Sequence, residues 1–309
     1  MKSDVSYLSK DNITEIHAIE WSCDKEPIAI VQIAHGMVEF IDRYDRFARY
    51  LNQQGILVVG NDHLGHGQSV SHPEKLGYFA EKNGNRCLIE DMFTLFSRTK
   101  IKYPHMPYFL LGHSMGSFLA RQYIEIYGDQ LDGAIIMGTG DFSQNLVTAA
   151  KSLAQLVAKT RGDTYRSTIL ANLVLGSNNN AFEPARTRND WLTKDEAIVD
   201  AYNENPLNNF LFTANGYINM FEGLDYAINH VDAVPKDLPI LVVSGAMDPV
   251  GNFGLGPKAV YDSYLDHGIV DVQLRLYEND RHEILNETNY QQVYRDLAAW
   301  IQDHIPPKQ

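Results

Sequence analysis

A serine flanked by glycines stands at Gly112-His113-Ser114-Met115-Gly116, between an apolar run (residues 107–112, PYFLLG) and a stretch with helical spacing. A hydroxyl becomes an acyl-transfer nucleophile when a tight strand-to-helix turn lifts its Oγ above a sheet. The glycines let neighbouring backbone approach, and N–H groups at the helix start face a developing oxyanion. Such a serine needs a base oriented by a carboxylate, and in an open α/β sheet the chain order is Ser, acid, His. Downstream, Asp248 follows the apolar run 238–244 (LPILVVS), and His282 follows 271–277 (DVQLRLY). Both fall past the C-terminal ends of expected strands, where open α/β sheets gather reactive groups. Ser114, His282 and Asp248 are therefore expected as nucleophile, base and orienting acid. Asp280 and Glu283 compete for the last role, but both neighbour His282 in sequence.

The first buried run ends in His35-Gly36-Met37-Val38-Glu39. A glycine turn there supplies the second oxyanion donor, so the backbone N–H groups of Met37 and Met115 are the expected pair. Glu39 either pairs with Arg43 or reads a substrate hydroxyl, and His113 sits beside the nucleophile; these two are the candidate substrate-binding residues. His35, His63 and His66 read as hydrogen-bonded loop histidines, and Asp62 as a tie to neighbouring backbone. Gly65 and Gly67 oppose the helix that would bring His63 and His66 onto one metal, so no metal is expected. Residues 251–256 (GNFGLG) have glycines in the wrong order for a dinucleotide loop, and no P-loop pattern occurs, so no cofactor is expected.

Apolar runs at 13–21, 27–34, 56–61, 107–112, 131–137, 238–244 and 271–277 read as strands. Helical spacing at 44–54, 89–102, 115–127, 256–267 and 290–304 separates them. That alternation implies βαβ units and a parallel sheet. It stops near Asp141 and resumes at Leu238. The intervening stretch reads as helical, with Leu146, Val147, Leu153, Leu156 and Val157 as an apolar stripe that packs a core or lines a cavity. The expected division is a core of residues 1–141 and 228–309 with a helical cap at 142–227. With 309 residues, 44% hydrophobic and 21% charged, the chain is globular rather than disordered. Its net charge of −13 repels nucleic acid and anionic lipid. Cys23 and Cys87 show no ligand spacing and read as small buried hydrophobes. No leader-like or membrane-spanning apolar segment is evident, so a cytoplasmic protein is expected.

Together HGMVEF-x2-RY, NDHLGHGQS, GHSMGS, SGAMDPVG and RHEIL resemble the α/β-hydrolase superfamily. More narrowly they are similar to its monoacylglycerol lipase/lysophospholipase-like branch, grouped with serine aminopeptidases. NDWLTKDEAIVDAYNENPLNNFLFTANGYINMFEGL is similar to the cap segment of bacterial members. The resemblance implies a mostly parallel eight-stranded sheet flanked by helices, a helical cap inserted after the sixth strand, and hydrolysis through an acyl-enzyme. By position it carries Ser114, Asp248 and His282 as triad and Met37 and Met115 as oxyanion donors. Phe40 replaces the final His of H-G-x-x-E-H, Ser117 the last Gly of G-H-S-M-G-G, and Asn205 the more usual Asp of the cap. The expected activity is a carboxylic ester hydrolase on a lipid-like or small acyl ester. The alternatives are an aminopeptidase or amidase using Glu39 or Glu222 to hold a substrate amine, a thioesterase, or a binding protein. An apolar cap implies at most weak contact with a membrane surface.

Overall fold

The computed structural model describes residues 1–307. Eight strands form one sheet in the order β1-β2-β4-β3-β5-β6-β7-β8. They are β1 (Lys2–Leu8), β2 (Glu15–Trp21), β3 (Ala29–Ala34), β4 (Ile56–Asn61), β5 (Tyr108–His113), β6 (Gly133–Met137), β7 (Ile240–Gly245) and β8 (Val272–Tyr277). β1 and β2 run antiparallel at one edge, and β3 through β8 are parallel. The fold class matches the expectation. β1 is the strand that apolar runs do not reveal, because its residues (KSDVSYL) lie on an edge and only Tyr7 is buried.

The central strands are buried on both faces, which is why they read as nearly continuous apolar runs. Successive residues enter opposite cores: Ile30 and Ala34 of β3 join one, Val31 and Ile33 the other. The second core is closed by α1 (Asp45–Gln53) and α9 (Tyr290–Asp303). The first is closed by α2 (Gly84–Lys102), α3 (Met115–Tyr127) and α8 (Leu255–Asp266). Gln32 interrupts the apolar run of β3 without penalty, since it donates to Met92 O at 3.0 Å and accepts from the Tyr108 hydroxyl at 2.7 Å.

Between β6 and β7 lie four further helices: α4 (Gln144–Arg161), α5 (Thr168–Leu175), α6 (Glu196–Glu204) and α7 (Ala214–Asn229). Each begins with a side-chain cap, from Ser143, Ser167, Asp195 and Thr213 respectively. The expected boundary at residue 227 falls inside α7, whose buried face joins the α2–α3 core. The stripe on α4 divides. Val147, Ala150 and Ala154 form its buried face, whereas Leu146 and Leu156 are half-exposed. Buried positions on this helix follow i, i+3, i+7 from Val147, and Leu146 and Leu156 sit off that line. Among the described residues no helix is long and apolar enough to cross a membrane.

Glu125 on α3 is buried, and neither carboxylate oxygen has a hydrogen-bond partner among the described residues. Burial pushes its pKa from 4.5 up to about 8, against the opposing charge of Arg121. The folded state then keeps a proton that the unfolded chain releases near 4.5, so this group lowers stability as pH rises from about 5 through 8. Glu125→Gln is expected to raise Tm by several degrees at pH 9 and far less at pH 5, measured by calorimetry. Equal shifts at both pH values would assign the effect to packing instead.

Candidate active site

β5 runs directly into α3, and the turn between them is Ser114, with φ 55° and ψ −120°. A non-glycine residue in that region stores strain of order 1–3 kcal/mol and is held there by its surroundings. The Ser114 N–H donates to Met137 O at 3.0 Å, and the Ser117 hydroxyl donates to Ser114 O at 2.6 Å. Ser117, a departure in the motif, thus braces the turn. The flanking glycines are obligatory. A Cβ at Gly112 would lie 2.2 Å from Gly116 O, and one at Gly116 would lie 2.1 Å from Ala34 O.

Asp248 lies just past β7 and is fully buried. Its Oδ1 accepts the Val250 N–H at 2.9 Å; its Oδ2 accepts the Ser244 hydroxyl at 3.2 Å and the His282 Nδ1–H at 2.9 Å. The competing carboxylates are engaged elsewhere. Asp280 accepts from Lys194 at 3.1 Å and Asn289 at 3.0 Å. Glu283 takes both guanidinium nitrogens of Arg43 at 2.7 Å. His282 is buried between two rings, Trp191 at 4.9 Å and His113 at 4.8 Å between centroids. A Cβ on Gly138, the residue after Met137, would meet both the His113 ring (3.2 Å) and the His282 ring (3.3 Å). Ser114, bonded to Met137, and His282 therefore flank the same backbone. No Ser114–His282 hydrogen bond exists among the described residues; such bonds are often long before substrate binds.

The loop after β3 lies against the turn, so that a Cβ on Gly36 would come within 3.0 Å of Ser114 Cβ. Neither the Met37 nor the Met115 N–H donates to a backbone acceptor outside regular elements among the described residues. Val38 in the same loop has φ +56°, an uncommon conformation for a β-branched residue. Its carbonyl accepts two hydrogen bonds from the segment between β6 and β7: the Tyr202 hydroxyl at 2.9 Å and Asn208 Nδ2 at 2.8 Å.

Glu39 and His113 sit together beneath this loop. Glu39 Oε1 accepts from the Gly36 N–H, the Tyr44 hydroxyl (3.0 Å) and His113 Nδ1 (3.0 Å), and Oε2 accepts from Arg43 (2.8 Å). His113 Nε2 reaches His282 O at 3.4 Å. Burial opposes charge on every member of this cluster, yet the pairing outweighs it. Glu39 is held well below the usual carboxylate range by His113 and Arg43, and His113 is raised by Glu39. Arg43 thus lies between two carboxylates, Glu39 and Glu283, with His113 against the first of them. Both Glu39 oxygens are committed to the protein, which favours a loop-holding role over one facing substrate. The Arg43–Glu39 pair was legible at i, i+4; the fork from Arg43 to Glu283 spans 240 residues and carried no local signal.

His35 donates from Nδ1 to Gly36 O at 2.8 Å and accepts the His63 N–H at 3.0 Å, which fixes a neutral ring; burial lowers its pKa. Asp62 accepts the N–H groups of Ile41 and Gln68, each at 2.8 Å, and binds the loop to its neighbours. Cys87 is buried, which pushes its thiol up to about 11 and away from nucleophilic use.

Residues 25–289 match the family described as Serine aminopeptidase, S33. The chain is 27% identical to a monoacylglycerol lipase of Mycolicibacterium smegmatis, over 92% of each chain. It is 26% identical to the monoglyceride lipase of Rattus norvegicus, over 92% of this chain and 86% of the relative. A thermostable carboxyl esterase of Bacillus coagulans, solved in complex with glycerol, superposes with TM-score 0.91 at 28% identity, over 99% of both chains.

Proposed function

Since the chain belongs to the serine aminopeptidase S33 family of α/β-hydrolases, we propose that it hydrolyses carboxylic esters of lipid-like acids, monoacylglycerols and lysophospholipids among them, through a covalent acyl-serine. The observation that carries this reading is the buried Asp248–His282 hydrogen bond of 2.9 Å beside the strained Ser114 turn. Asp248 holds the proton of His282 on Nδ1 and leaves Nε2 free to accept. Ser114 Oγ attacks the ester carbonyl as Nε2 takes its proton. The oxyanion receives the N–H groups of Met37 and Met115, and collapse expels the alcohol, which takes the proton from Nε2. Water then attacks the acyl-enzyme by the same route in reverse roles, releasing the acid.

The helices of residues 142–227 serve as the cap. Leu146 and Leu156 of α4, Ile169 and Leu173 of α5, and Met247, Phe253 and Leu255 past β7 are exposed apolar side chains suited to acyl chains or a weak lipid contact. For the aminopeptidase alternative, Glu39 is already paired with Arg43 and His113 rather than free to hold a substrate amine. A p-nitrophenyl ester series from acetate to palmitate, with a monoacylglycerol and an aminoacyl-p-nitroanilide alongside, tests the reading. Ester and monoacylglycerol turnover are expected to exceed nitroanilide turnover by orders of magnitude. Activity confined to the nitroanilide would overturn it.

A further inference from the structure

The loop carrying Met37 is fastened at three points. Within the core, Glu39 Oε1 accepts the Gly36 N–H, and His35 Nδ1 donates to Gly36 O. The third fastening comes from outside the core: Tyr202, near the end of α6, and Asn208, in the turn after it, both donate to Val38 O. The two side-chain donors fill both lone pairs of one carbonyl, and that carbonyl belongs to a residue at φ +56°. A valine prefers φ below zero, because its branched Cβ crowds the backbone in the left-handed region. Released, residue 38 would relax toward the extended or right-handed basin, and the adjacent peptide planes would rotate with it. Those planes carry the N–H groups of Val38 and Glu39; the Met37 N–H lies one plane further back, across the Met37 Cα, and its direction shifts as the loop that follows it relaxes.

We propose that Tyr202 and Asn208 are positioning residues for the oxyanion donor: by clamping Val38 O they hold the left-handed turn that aims the Met37 N–H at the acyl oxygen on Ser114. This inference rests on the ester-hydrolase reading above. Both donors are pre-placed. The Tyr202 ring lies against the Arg43 guanidinium at 4.8 Å, and Arg43 is forked to Glu283 next to His282. Asn208 is buried. The same segment reaches the other half of the site, where Leu192 O accepts the Glu283 N–H at 2.7 Å. One stretch of the insertion, residues 191–208, therefore spans from the histidine loop to the oxyanion loop and sets them relative to each other.

The test uses Tyr202→Phe, which keeps the ring over Arg43, Asn208→Ala, and the two combined. Readouts are kcat and KM on a p-nitrophenyl ester, and affinity for an alkyl boronic acid whose tetrahedral adduct on Ser114 places an oxygen in the oxyanion site. Each single variant is expected to lose roughly 3–10-fold in kcat, as for one hydrogen bond. The double variant should lose about 10²–10³-fold, as for an oxyanion donor, with KM within about twofold and boronate affinity falling in parallel. Val38→Gly supplies the discriminating background. Glycine occupies φ +56° without steric cost, so the clamp substitutions should cost about tenfold less there. A lowered Tm with unchanged kcat and boronate affinity would overturn the clamp, as would a rise confined to KM. A wild type that neither turns over esters nor binds the boronate would remove the hydrolase reading, and the clamp with it.

Discussion

Ser114→Ala is expected to lower kcat on p-nitrophenyl esters by roughly 10⁵–10⁶-fold while leaving KM within a fewfold, because it removes the attacking atom and little of the binding surface. A residual rate above that of water is expected from the oxyanion donors and from bound geometry alone. Ser114→Gly sharpens the experiment. The turn holds residue 114 at φ 55°, which glycine adopts without strain. That variant should be as inactive as Ser114→Ala yet melt a few degrees higher, since it releases about 1–3 kcal/mol stored in the turn. An inactive protein that gains stability is the expected signature of a strained nucleophile. Retained ester turnover in both variants would remove Ser114 from the reaction.

Asp248→Asn should cost about 10⁴-fold in kcat, and the structure supplies the reason atom by atom. Oδ1 of Asp248 accepts the Val250 N–H, so the amide carbonyl of an asparagine takes that place. Its NH2 then occupies the place of Oδ2 and faces His282 Nδ1. Two donors cannot share that contact, so His282 moves its proton to Nε2, where it can no longer accept one from Ser114. Ser244 adapts by accepting instead of donating, so the fold is little disturbed. Steady-state kinetics with thermal melts separates the two effects. A near-silent substitution would pass the orienting role to another acid, against the full engagement of Asp280 with Lys194 and of Glu283 with Arg43.

The parts of this site that sequence makes legible are those whose signals are local. Ser114 and Asp248 follow apolar runs, and a buried parallel strand is hard to mistake when both of its faces are dry; His282 follows the alternating pattern of the edge strand β8, in which only Tyr277 is buried. β1 escaped because an edge strand with one buried side chain has no such run. On α4 the identity of the apolar residues was plain but their phase was not: a wide stripe admits more than one face, and only contact with α7 selects Val147 over Leu146. The holding of Glu39 was half visible, through Arg43 four residues on. Glu283, Tyr202 and Asn208 were not, since they meet their partners across 240, 164 and 170 residues. Their types are common, their spacing is aperiodic, and their roles exist only once the sheet has brought the loops together.

The placement of the helical insertion also bears on how the protein is made. β6 pairs with β7, but about 100 residues separate Met137 from Ile240. At a synthesis rate of about 5–20 residues per second, the ribosome needs about 5–20 s to deliver the partner strand. Throughout that interval β6, with the sequence GAIIM, presents an open hydrogen-bonding edge and apolar side chains on both faces. Aggregation during synthesis is therefore expected to be most pronounced after β6 has emerged and before β7 has. The insertion that sets Trp191 against His282 is also the one that delays closure of the sheet.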